Sequence, residues 1–180
     1  MQMGLHNLEL PFDDNPDGAR GTLLPTGGIS GNREAKAVAY LLNWVESHDL
    51  GEVFGPGTGF RFKDDAAPNS PGTILLMPDA AFVAKGRLPE GWDEGEDTIL
   101  QLAPDLAIEI CSNTDEVEVL KAKMQESVAL GVQLGWLIDR PNGQAWVYRH
   151  DGLITQYPAT AILNGEDIVP GFKLALKYLL

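Results

Sequence analysis

Glu109 stands in the middle of PDLAIEICS, residues 104–112, where Leu106, Ile108 and Ile110 alternate as the core face of a strand does. Ala107 and Cys111, which share the face of Glu109, are small and apolar enough to be covered as well. A carboxylate there must find partners or give up its charge, because full burial raises an acid's pKa by roughly 3–5 units. Asp79, after Pro78 in MPDAAFV, opens the preceding strand, which can lie beside this one. Two partly dry carboxylates on adjacent strands repel unless a cation comes between them. Hard divalent ions such as Mg²⁺ take one or two carboxylates and complete their shell with water and phosphate oxygens. Singly, Asp79 reads as a turn residue and Glu109 as the partner of some arginine. As a pair with a lysine to follow, they read as a cation site.

The lysine comes from EVEVLKAKMQESVALG, whose apolar stripe is Val117, Leu120, Met124 and Val128. Lys121 and Lys123 border that stripe on opposite sides. Either can snorkel to water along its stem, or reach back over the end of the Glu109 strand. There it would help orient an attacking water and offset charge on a pentavalent phosphate. Helical geometry does not choose between them. A third acid, Glu34, lies on the line Glu34, Val38, Leu41, Val45 of the first helix, at the centre of its apolar stripe. It serves either the helix dipole, from the first turn, or the cation site, by pointing at the sheet.

Several elements must position these groups. REAKAVAYLLNWVESH is a helix with Ser30 or Asn32 as expected N-cap. GEVFGPGTGFRF predicts two short strands, Val53–Phe54 and Gly59–Phe62, paired around a Gly/Pro turn. KDDAAPNSPGT is a polar loop, ILLMPDAAFVAK a strand that restarts at Ala80–Val83, and GRLPEGWDEGEDTIL an acidic loop. After the Asp105–Cys111 strand, Thr114 or Asp115 is the expected cap of the second helix, which stops at Gly131. QLGWLID and QAWVYR form a hairpin across RPNG, and the tail holds further short strands. The order predicts a mixed α/β fold, a sheet flanked by helices. Its helical crossover makes Asp105–Cys111 and Gly135–Asp139 parallel neighbours, and helices on both faces explain why residues 105–111 are apolar on both sides.

The bulk properties narrow the class. A chain of 180 residues with 44% hydrophobic content predicts one globular domain, here residues 24–180 behind an irregular arm, residues 1–23, rich in Pro, Gly, Asp and Asn. No apolar run is long enough to span a bilayer and no basic-then-hydrophobic leader opens the chain, so no membrane partner and a cytoplasmic location are expected. The single Cys111 excludes an internal disulfide and a cysteine-based zinc cluster, and three scattered histidines argue against a His-rich metal site. A formal charge of −13 with no basic run weighs against strong nonspecific binding to nucleic acid, though not against a local basic groove. GGISGN lacks the Lys-Ser/Thr of a P-loop and is read as the loop leading into the helix, while GPGTG falls in a hairpin rather than between strand and helix. Trp136 and Trp146 read as core or subunit contact, and a homodimer is expected. Cys111 reads as a small buried hydrophobe.

PTGGISGNREA, TGFRF, MPDAAFV, APDLAIEICSNTD, LKAKMQESVALGVQLGWLID and IVPGFKL follow one another in an order that resembles the Uma-type family of restriction endonucleases, within the PD-(D/E)xK nuclease superfamily. The resemblance runs from about Leu24 to Phe172. It implies a restriction-endonuclease-like core that hydrolyses phosphodiester bonds, with DNA as substrate and Mg²⁺ or Mn²⁺ as cofactor. Asp79 stands at the family's Pro-Asp aspartate and Glu109 at the acid of its (D/E)xK strand, so these two would hold the metal. Two residues after Glu109 stands Cys111, not lysine. In this family the lysine looks displaced to an AKMQE stretch of the next helix, which selects Lys123, and Glu34 matches a first-helix acid. This chain has SNTD where the family often has SPSD, and Ser127 where it often has an aromatic. The superfamily also contains members that have lost cleavage, so a non-cleaving binding or assembly module is the alternative.

Overall fold

The computed structural model describes residues 26–63, 73–95 and 98–180. The expected N-terminal arm, most of the polar loop and Glu96–Asp97 of the acidic loop lie outside them. Helix α1 (Gly28–Ser47) buries Glu34, Ala37, Leu41 and Val45 along one face, as their spacing predicts. It begins earlier than expected: Gly27 is the N-cap, so Ser30 and Asn32 lie inside the first turns instead of capping them. The Ser30 hydroxyl oxygen accepts from Arg140 Nη1 at 3.1 Å.

Among the described residues ten strands follow: β1 (Gly51–Phe54), β2 (Phe60–Lys63), β3 (Thr73–Leu76), β4 (Ala80–Ala84), β5 (Leu106–Cys111), β6 (Leu134–Asp139), β7 (Gln144–Arg149), β8 (Ile154–Pro158), β9 (Ile162–Asn164) and β10 (Lys173–Ala175). Helix α2 (Val117–Ala129) connects β5 to β6. The main sheet runs β1-β4-β5-β6-β7-β8. All its pairings are antiparallel except β5 with β6, the parallel pair made possible by the α2 crossover. The expected hairpin between residues 53–54 and 59–62 does not form. β1 pairs with β4 and β2 pairs with β3. The Gly/Pro turn carries the chain off the sheet, and Phe60 and Phe62 become part of the core beneath it.

Two apolar layers sandwich the sheet. Leu106, Ile108 and Ile110 of β5 pack with Leu41, Val45, Phe82 and Trp136 on the α1 side. Ala107 packs with Met124, Leu137 and the β2–β3 pair on the other side. Each fully buried large side chain contributes roughly 1.5–3 kcal/mol, and β5, buried at every position, is anchored from both faces. α2 also departs from expectation at its start. Its N-cap is Glu116, without a side-chain cap, while Asp115 Oδ2 instead accepts the Ser112 N–H at 2.6 Å. At the other end the chain reverses at Gly131, whose φ of +127 suits a residue without Cβ.

Candidate active site

The β4–β5 ladder ends at Ala80 opposite Ile108, because Pro78 cannot donate and the chain turns away there. Asp79 completes the ladder with both its backbone and its side chain. Its N–H donates to the Ile108 carbonyl at 3.0 Å, and its Oδ2 accepts the Ile110 N–H at 2.6 Å. A backbone donor that would otherwise lack a partner is satisfied, and the Asp79 carboxylate is held level with the residue between Ile108 and Ile110. That residue is Glu109.

Glu109 faces the α2 side of the sheet, where Lys123 Nζ donates to its Oε1 at 2.9 Å. The Glu109 side chain is 9% exposed and that of Lys123 39%, so the lysine bridges the interior and water. Lys121 goes elsewhere: it pairs with Glu118 at 2.8 Å and lies 3.9 Å over the Trp146 ring. The helix thus sends one border lysine to each side, and only Lys123 reaches the Glu109 strand. Glu34, buried in α1, lies close enough for its charge to act on Asp79.

The electrostatics follow from this crowding. Burial, then the charge of Glu109, pushes the Asp79 carboxyl up to about 7; the Ile110 N–H opposes the shift, Glu34 adds to it, and Lys123 opposes it. Burial also raises the pKa of Glu109, offset by the charge and hydrogen bond of Lys123, with Asp115 adding to the rise. Glu34 is raised by burial alone. Three acids that all resist ionisation together are a place where a cation is stabilising. Among the described residues no group of three or more His, Cys, Asp or Glu side chains could hold a metal ion. The donor chemistry nonetheless fits a hard divalent cation, which takes one or two carboxylates and fills its shell with other oxygens. Asp79 and Glu109 would hold it.

Sequence reasoning missed several supports. Gly135 of β6 lets α2 approach: a Cβ there would lie 2.4 Å from Met124 Sδ, next to Lys123. The buried Ser127 donates to the Lys123 carbonyl at 2.8 Å, an i to i−4 bond that helical spacing could have revealed. Asp139, fully buried, accepts from Asn142 Nδ2 and Gln144 Nε2 at 2.8 and 2.9 Å and fixes the hairpin turn after β6. Burial, with Asp115 and Asp139 adding and Arg140 opposing, pushes the Cys111 thiol up to about 11, which keeps it protonated at the position where a lysine was expected.

The Uma2 family, described as "Putative restriction endonuclease", matches residues 16–177. The chain belongs to this family. Its fold is similar to the crystal structure of "a putative nuclease belonging to DUF820" from Anabaena variabilis, with a TM-score of 0.70 and 21% identity over 87% of this chain and 84% of that one. No curated protein matched. Family and fold together indicate a restriction-endonuclease-like nuclease, and no helix among the described residues is long and apolar enough to cross a membrane.

Proposed function

We propose that the chain is a Mg²⁺- or Mn²⁺-dependent endonuclease that hydrolyses phosphodiester bonds in DNA. The observation that carries this reading is the Lys123–Glu109 contact at 2.9 Å, beside a second carboxylate whose proton affinity is raised by that same Glu109. A divalent cation supplies Lewis-acid polarisation of a phosphoryl oxygen and neutralises developing charge. Asp79 and Glu109 would hold it, both as carboxylates. The Lys123 ammonium positions the attacking water and stabilises the added negative charge on the phosphorane. Glu34, whose charge acts on Asp79, would assist through a water on the cation. We further take residues 24–180 as one domain that works as a cytoplasmic homodimer. A free buried thiol suits a reducing compartment, and light scattering tests the dimer.

The net charge of −13 favours a second reading, a non-cleaving binding or assembly module. A nuclease assay with Mg²⁺, Mn²⁺ or chelator, run on wild type, Glu109→Ala and Lys123→Ala, separates the two. Metal-dependent cleavage lost in both variants supports the enzyme. Failure of the wild type to cut duplex, single-stranded DNA or RNA, with no rise in melting temperature on adding Mn²⁺, supports the module.

A further inference from the structure

We infer that Arg140 binds a backbone phosphate of the nucleic acid flanking the one that is cut. This rests on the nuclease reading above and adds a substrate contact to it. Arg140 follows β6 directly, at the sheet end where β5 and β6 finish side by side with Cys111 opposite Asp139. Glu109 is opposite Leu137, so the Arg140 backbone stands three residues, about 10 Å, beyond the level of the acid. Successive phosphates advance ~3.4 Å each along a strand of duplex, so an offset of this scale suits a phosphate that flanks the one cut.

Among the described residues Arg140, like Arg33 and Arg61, is in no salt bridge, and of these it is the one that directly follows β6. Arg87 is paired with Asp105 and Arg149 with Glu166, both at 2.6 Å. Arg140 pairs with no carboxylate among the described residues, and its one partner there is the neutral Ser30 hydroxyl at 3.1 Å. Its neighbour Asp139 is occupied by Asn142 and Gln144. The remaining Arg140 N–H groups make no hydrogen bond among the described residues. Half-buried and held by Ser30, the planar fork is preorganised for a phosphate. On a chain of net charge −13 such a local cation counts for more, because the overall field opposes DNA.

The test measures binding of a fluorescent duplex by the full chain in a Glu109→Ala background with Mn²⁺, as a function of salt. Arg140→Ala should weaken binding ~10-fold or more and lower the salt slope by about one counterion. Arg140→Lys should keep most of the slope, and Ser30→Ala should keep it all. Equal affinity and slope in Arg140→Ala overturn this inference and leave the nuclease reading intact. Equal losses in Ser30→Ala and Arg140→Ala, with matching drops in melting temperature, overturn it in favour of a structural tie. Absence of any duplex binding, together with absence of cleavage by the wild type, overturns both.

Discussion

Lys123 Nζ lies 2.9 Å from Glu109 Oε1 although 14 residues and a change from strand to helix separate them. In a (D/E)xK strand both groups share one face because they are two residues apart. Here the second position is the buried Cys111, and α2, packed across β5 and β6, returns an ammonium to the same carboxylate.

That pairing is asymmetric. Lys123→Ala leaves a buried acid without its partner, whereas Glu109→Ala leaves a lysine free to turn to water. The first should cost about 1–2 kcal/mol, less than the ~3–5 typical of a fully buried pair because the lysine is 39% exposed. The second should cost less. Both should lower nuclease turnover ~100-fold or more, and Lys121→Ala should change it little. Urea denaturation and single-turnover cleavage of the three variants check this.

Asp79 makes stability fall with pH. Its carboxyl is raised from the ordinary 3.8 to about 7 in the fold, so the folded state binds the proton more tightly than the unfolded chain. The contribution of this group is fully present below pH ~4 and is lost as pH rises to about 7. Glu109, also raised, has the same sign. In chelator the melting temperature should decline from pH 5 to pH 8 more steeply for wild type than for Asp79→Asn, which keeps an acceptor for the Ile110 N–H. Parallel profiles would contradict the assignment.

Adding metal should reverse that loss. At ~100-fold excess over Kd a ligand specific to the folded state adds about 2.7 kcal/mol, or roughly 5–10 °C in a chain of this size. Mn²⁺ should therefore raise the melting temperature of wild type, and Asp79→Asn or Glu109→Gln should abolish most of the rise.

Gly135→Ala should damage the site without touching it. The new Cβ would meet Met124 Sδ at 2.4 Å and Val128 Cγ2 at 3.3 Å. Met124 is fully buried and has little room to yield, so α2 must lift off the sheet and carry Lys123 with it. Overpacking of this kind costs about 1–3 kcal/mol, and turnover should fall more than substrate binding does.

Periodicity made the two helices, the buried β5 strand, the hairpin across residues 140–143 and the parallel β5–β6 pair legible, because each depends on local alternation or on one crossover. It also marked Asp79, Glu109 and Glu34 as charges in apolar places. It failed where the outcome depended on competition between partners. The 53–54 and 59–62 segments look like a hairpin, yet β4 offered β1 a longer edge and the core claimed Phe60. Ser30 and Asp115 look like helix caps, yet one serves Arg140 and the other the Ser112 N–H. From the sequence alone, helical spacing left Lys121 and Lys123 equivalent, and only resemblance to a family distinguished them. Tertiary packing separates them because α2 is seated by Gly135 and Met124, which turns one lysine toward Glu109 and the other toward Trp146. Charge and period are local properties of a chain; which charges meet is decided by how its layers pack.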